Sequence, residues 1–348
     1  MPRWQGRTTR AWVRGKRVDV EFVPVRGALR SLGWDGDMLL DLAGGGRRWS
    51  LDGTEHPTSV DFGRPFDQAV SSPSGRYAVV YGERDTTALV LDGASGLREM
   101  GRSSYHAADF DYPVALGRLP DGREILVHCP DEYNVLQIDD LVSGARLTTG
   151  DRTPTDVFHS RLSVSPDGRH LLMAGWFWSP FGIARVYDLA EALADSATLD
   201  GDGVLPMSPG SDAEVASACW LDGDRLAVAT TDEVFDDEEA PNLGPRQLGV
   251  WSVSGRQWLA RSSVNYPIGT LLPRNAQVIS LYEHPRLIDT ETGAVVAEWP
   301  GVKVAPKDGS FGVTHIPTPW AALDATGTRL AVAQDGGIAL IELPPPRP

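Results

Sequence analysis

The chain has 348 residues, 41% of them hydrophobic, two cysteines and a formal net charge of −15 at pH 7. That apolar fraction can fill a sizeable core, yet no apolar run approaches the roughly 18 residues a membrane helix needs. The acidic balance repels phosphate backbones and sets nucleic acid aside as a general partner.

In chain order, residues 1–16 come first, with Arg3, Arg7, Arg10, Arg14 and Lys16 and no acid. Lacking an apolar stretch of the secretory type, they read as a basic, flexible arm. The run Arg17-Val-Asp-Val-Glu-Phe-Val then alternates apolar and polar, which predicts a half-exposed strand.

From there one turn keeps returning: WDGD at Trp34, SPSG at Ser72, LPDG at Leu119, SPDG at Ser165, LDGD at Leu221, LPRN at Leu272 and DATG at Asp324. Counted from Gly36, the spacings are 39, 47, 46, 55, 52 and 52 residues. A period of that size signals a stacked or radial repeat rather than a domain with one cleft. Each turn leads into an apolar run such as Tyr77-Ala-Val-Val or Leu226-Ala-Val. A second turn follows (LDGASG at Leu91, WSVSG at Trp251, IDTETG at Ile288). Two turns per period imply two hairpins and four antiparallel strands.

The predicted fold is therefore all-β: a seven-bladed β-propeller of four-stranded blades over residues 17–343. The blades fall at about 28–57, 66–101, 112–149, 158–199, 214–262, 266–299 and 311–343. The last blade is a strand short, because after Gly337-Ile-Ala-Leu-Ile-Glu-Leu the chain meets Pro344-Pro-Pro. An unpaired edge is a liability, so Val18–Val23 is expected to complete that blade beside 338–343. In the fourth blade Leu189-Ala-Glu-Ala-Leu-Ala stands where a tight turn belongs and predicts a short helix.

The SPDG-type turns and the strand endings Trp251-Ser, Tyr187-Asp, Ile288-Asp and Ile138-Asp resemble WD-repeat and WD-like β-propellers, particularly divergent bacterial members. The resemblance spans nearly the full length, although the Gly-His dipeptide of that family and an intact Trp-Asp ending are absent. It implies a non-catalytic, cytoplasmic protein-interaction scaffold. It also implies that the loops between second and third strands, and the linkers between blades, share one face at the mouth of the central channel. The alternatives are a hydrolase or lactonase-like enzyme with a site at the channel, or a small-molecule sensor.

Catalytic signatures are missing: no G-x-S-x-G elbow, phosphate loop, H-E-x-x-H or paired C-x-x-C occurs. Asp200-Gly-Asp-Gly fails as a calcium loop, since Val204 and Ser211 fall on ligand positions. In His128-Cys129-Pro-Asp131-Glu132 adjacent strand residues face opposite ways, so a strand end is expected. Cys129 and Cys219 read as buried thiols of a reducing compartment. Neither a cofactor nor a metal is expected. The histidines His56, His106, His159, His170, His284 and His315 are scattered over several blades.

Two loops carry the candidate binding surface. In the fourth blade, Trp176, Phe177, Trp178 and Phe181 place four aromatics within six residues, to be either an exposed protein-binding patch or core between blades. In the fifth, Asp232–Glu239 is dense in acid and includes Asp236, Asp237, Glu238 and Glu239, which would steer a basic partner. By the resemblance, Tyr105, Tyr112, Tyr266 and Trp320 join the same face, and the partner is a protein.

Overall fold

A computed structural model describes residues 9–13, 16–56, 60–177, 181–208, 211–234, 241–304 and 318–345, with side chains from Val20 onward. Trp178, Asp236–Glu239 and His315 lie outside the described residues.

Six of the seven recurring turns share one cause: their closing position is left-handed, at Gly36, Gly75, Gly122, Gly168 and Gly327 with φ between +59° and +91°. Asn275 takes the same place in the LPRN turn at φ 54°. Only glycine adopts that conformation freely, and asparagine is among the few side chains that tolerate it. Gly168 is fixed twice over, since a Cβ there would sit 1.8 Å from the Arg118 carbonyl oxygen of the preceding repeat. The Gly168 N–H donates to Ser165 O (2.8 Å), and Ser165 Oγ accepts from the His170 N–H (3.0 Å), which starts the next strand.

Among the described residues, the strands so punctuated form eight antiparallel sheets of three to five strands, mostly simple meanders. The clearest runs Gln68–Ser71, Tyr77–Tyr81, Thr87–Asp92, Ser95–Gly101, each strand beside the next. Its second strand is buried almost throughout and its outer strand almost bare. The same gradient appears from Ala213–Trp220, buried at most positions, to Gln257–Ser263, which alternates exposed and half-buried. Inner strands are covered on both faces by neighbouring sheets, hence the continuous apolar runs. The outer strands return to alternation.

The covering layers are visible as separate cores. Tyr77, Val79 and Val90 pack with Val114, Leu116 and Leu126 of the next sheet. Leu226, Val228 and Trp251 meet Leu172 and Val186 in the same way. Ile279, Leu287 and Trp299 meet Leu330, Ile341 and Val20. Val23, Ile338 and Leu340 meet Leu39 and Trp49, so the C-terminal sheet also packs on the first. The fold is all-β and propeller-like, with one short α-helix among the described residues.

The N-terminal strand Lys16–Pro24 does pair with Gly337–Glu342, from Val20 opposite Ile341 to Pro24 opposite Gly337. It is not the outermost strand, as the sequence suggested. Thr9–Val13, inside the segment read as a flexible arm, adds a further strand to its free edge.

Among the described residues, two further repeats depart from four strands. In the third, Val114–Arg118, Glu124–His128 and Gln137–Asp140 are followed by a single bridge, Asp139 to Arg146. Beyond it the Thr148 hydroxyl accepts the Ile138 N–H (3.0 Å) and so replaces a ladder bond.

In the fourth, one stretch of chain splits into two sheets. Val157–Phe158 pairs with the hairpin Trp176–Phe177 and Phe181–Gly182, while Ser163–Val164, His170–Met173 and Arg185–Asp188 pair separately. The break falls at Gly175, where a Cβ would lie 2.0 Å from Phe158 O. The outer strand is replaced by the expected helix, Leu189–Ala194. Asp188 caps it, accepting from the N–H groups of Ala190 and Glu191. No helix among the described residues is long and apolar enough to cross a membrane.

Candidate functional site: an aromatic and acidic face

Four loop segments from two consecutive repeats meet on one face. They are the linkers 102–113 and 149–162 and the second-to-third-strand loops, 129–136 in one repeat and 174–177 with 181–184 in the next. Phe158, fully buried, is the centre. Trp176 stacks on one side of its ring at 4.1 Å and 11°, and Tyr133 on the other at 4.5 Å and 27°. Phe110 meets it edge-on at 5.1 Å. Tyr105 lies 5.0 Å from Tyr133 and stays 45% exposed.

This answers the question of loop 176–181 with a division. Phe181 is buried in the core cluster between the third and fourth repeats, and Phe177 is half-buried against it. Trp176 gives one face to Phe158 and keeps partial exposure. Tyr105, from the preceding linker, is the more exposed ring.

The linker that presents Tyr105 is held by Arg102. The guanidinium of this buried arginine donates to the carbonyls of Asp85, Asp111, Glu83, Ala107 and Phe110, at 2.7–3.3 Å. It lies over the Phe110 and Tyr112 rings at 4.6 and 5.0 Å. Burial pulls its pKa down to about 10, still charged at neutral pH. Tyr112 is buried to 2% and belongs to this support, not to the surface.

On the solvent side most of the charge is negative. Asp131, Glu132 and Asp156 are exposed, and the Asp109 side chain is 45% exposed. Asp109 pairs with His106 (2.7 Å), and Asp156 accepts the Tyr133 hydroxyl (2.5 Å). Burial and that hydrogen bond push Tyr133 up to about 12. Residues 103–113, 129–136, 153–160 and 174–184 contain no lysine or arginine. The arginines of the linker 149–162 are engaged within the protein: Arg152 with Asp200 and the Leu136 carbonyl, and Arg161, 30% exposed, with the carbonyls of Ala174 and Ala216 and with Asp111 (3.7 Å).

The other residues expected on this face lie apart from the ring stack. Tyr266 is half-buried, its hydroxyl donating to Gly293 O (2.8 Å) with Arg286 over its ring. The Trp320 indole donates to Asp67 O (2.8 Å), and Gln68 donates to Thr318 O (3.2 Å), tying residues 318–320 to the second repeat. Both act as structural ties. Sequence reasoning missed Tyr133 and the supporting Arg102. The signal was available for Tyr133, which occupies the loop equivalent to 176–181 one repeat earlier.

The described histidines stay in separate places. His128 pairs with Asp139 (3.1 Å), His284 with Glu298 (3.2 Å), and His56 with Ser50 (2.8 Å). His128 ends its strand as expected. Cys129 and Cys219 are buried free thiols, and burial pushes both up, Cys219 to about 12.

No protein-family model and no curated protein matches the chain. Solved structures do, 1056 chains in all. One is described as the crystal structure of the mitotic checkpoint complex. It matches with a TM-score of 0.60 and 13% identity, covering 97% of this chain and 93% of that one. At that identity the likeness shows the fold alone, and a fold this widely shared does not assign a function.

Proposed function

We propose that this chain is a seven-bladed propeller serving as a protein-interaction platform, with its partner on the aromatic and acidic face. Seven blades follow if the two sheets of the fourth repeat count as one. The packing of the C-terminal sheet on both its predecessor and the first sheet supports a closed ring. The matched structure is that of a complex, which agrees with a platform in general terms.

The observation that carries the reading is the exposed edge of the ring stack. Tyr105, Tyr133 and Trp176 are only partly covered, are seated on a buried Phe158 and an anchored linker, and are ringed by carboxylates. Rigid aromatics with partial exposure are the side chains in which binding energy concentrates. A preorganised backing lowers the entropy lost on association.

The test is site-specific photo-cross-linking. A benzophenone amino acid replaces Tyr105 in one protein and Leu259, exposed on the outer strand Gln257–Ser263, in another. The reading expects a discrete protein adduct at 105. The purified partner should then lose at least tenfold in affinity for Tyr105→Ala at unchanged melting temperature. Adducts at 259 alone, or a partner indifferent to Tyr105→Ala, would overturn it.

A further inference from the structure

We propose that a second site, for a small organic anion with an apolar body, lies at the opposite end of the sheets from the aromatic face. In an antiparallel meander the first-to-second and third-to-fourth turns share one end, and the second-to-third loops share the other. At the turn end a cleft of about 660 Å³ opens between the LPDG turn of the third repeat, the SPDG turn of the fourth and the WSVSG turn of the fifth. Its remaining wall is the helix Leu189–Ala194, so the cleft sits where the fourth repeat has a helix in place of an outer strand. That size falls within the range of about 300–1,000 Å³ typical of small-molecule sites.

The lining divides by chemistry. Pro120 and Ala190 are exposed in it and Leu193 and Val204 half-buried, over the buried Leu119 and Val253. Three arginines border this apolar surface, Arg123, Arg169 and Arg256, and so do three acids, Asp121, Asp188 and Glu191. The formal charges cancel, but the hydrogen-bonding capacity does not. Asp121 is occupied by the Arg123 backbone N–H (3.0 Å) and Nε (2.7 Å), and Asp188 by the N–H groups of Ala190 and Glu191. The Arg169 guanidinium lies 3.5 Å from Asp167 without donating a hydrogen bond, and that of Arg256 has neither ion pair nor hydrogen bond among the described residues. The arginines therefore keep an excess of N–H donors, while only Glu191 keeps an unengaged carboxylate. Forked guanidinium donors match the oxygens of a carboxylate or a phosphate.

Arg256 adds an independent observation. Its φ is 49°, left-handed, where the matching turns of the third and sixth repeats place Gly144 (φ 72°) and Gly293 (φ 68°). A side chain at such a position is strained, and strain of this kind concentrates at ligand sites. The turn by itself favours glycine, so the arginine is explained by what its side chain meets.

The experiment is isothermal titration calorimetry of the full chain at about 150 mM salt, where screening beyond about 8 Å suppresses general repulsion of anions by an acidic protein. The titrants are octanoate, octyl phosphate, octylammonium and inorganic phosphate. Octanoate or octyl phosphate is expected to bind at one site, the tighter of the two identifying the headgroup. Octylammonium and inorganic phosphate should bind at least tenfold more weakly. Arg256→Gly should lower affinity at least fivefold while the melting temperature holds or rises, a combination that a purely structural arginine would not give. Arg169→Ala should weaken binding, Glu191→Gln should strengthen it, and Ala190→Glu should abolish it. Arg76→Ala, at the same turn position as Arg169 but in the second repeat, should change nothing, and neither should Tyr105→Ala on the aromatic face.

No heat from either octyl anion, equal binding of octylammonium or of inorganic phosphate, or indifference to Arg256→Gly would each overturn the inference. None of these outcomes bears on the platform reading, which is tested at Tyr105.

Discussion

Phe158→Ala removes the ring that seats the candidate face. The side chain is fully buried and is enclosed by Trp176 at 4.1 Å, Tyr133 at 4.5 Å and Phe110 at 5.1 Å. Truncating a buried phenylalanine costs about 3–5 kcal/mol through lost transfer energy and the cavity left behind. The upper half of that range is expected, because three aromatic neighbours cannot collapse into the gap together. Phe158→Leu separates the contributions. It keeps much of the apolar volume but forfeits two stacked pairs and one edge-on pair, worth about 0.5–1.5 kcal/mol each, so about 1.5–4.5 kcal/mol should be lost. Tyr105→Ala, taking away a ring that is 45% exposed, should cost under about 1 kcal/mol. The assay is urea unfolding followed by far-ultraviolet circular dichroism, with tryptophan fluorescence as a second probe because repeat folds can unfold in stages. If Phe158→Ala cost less than Tyr105→Ala, the division into a buried seat and an exposed binding edge would be wrong.

Other consequences can be checked directly. Removing residues 1–8 should leave the melting temperature unchanged, whereas removing 1–24 strips Val20 and Val23 from two cores and should cost about 3–6 kcal/mol from burial alone or cause aggregation; equal melting temperatures for the two truncations would refute the edge pairing. His159, buried with Nε2 on Asn134 O (3.2 Å) and Nδ1 without a partner, is held down to about 3 from 6.5. The unfolded chain therefore takes up a proton below pH 6.5 that the folded chain refuses until about 3, so stability should fall on acidification across that window, and His159→Gln should flatten part of the slope. Asp324 accepts from the N–H groups of Thr328 and Arg329 and from the Arg329 guanidinium, which hold it at about 2. Its contribution is present above the ordinary value of 3.8 and lost as pH falls through 2; Asp324→Asn should be destabilised at pH 7 and match the parent near pH 2. Arg102→Lys, unable to reach five carbonyls, should destabilise by about 2 kcal/mol or more and reduce protection of the 103–112 amides from hydrogen exchange.

The amino-acid sequence by itself determined the local grammar. A left-handed turn position admits glycine or asparagine and little else, so the repeat could be read from Gly36 to Gly327, with Asn275 standing in. The Leu189–Ala194 helix and the strand at 17–23 were legible because helix propensity and alternation are properties of neighbouring residues. What only the tertiary structure decided was which aromatics are seat and which are surface. Tyr105 and Tyr112 share a linker, yet one is 45% exposed and the other 2%, because Arg102 draws the chain inward between them. Trp176 and Phe181 share a hairpin, yet Phe181 is core while Trp176 spends one face on Phe158, a residue of an earlier loop. The split of the fourth repeat at Gly175 was hidden for the same reason: the constraint is a carbonyl 17 residues away in the chain and 2.0 Å from where a Cβ would be. Periodicity reports what a strand wants of its own two faces. In linkers and hairpins that bridge repeats, burial is set by the neighbouring repeat, and no pattern within the segment encodes it.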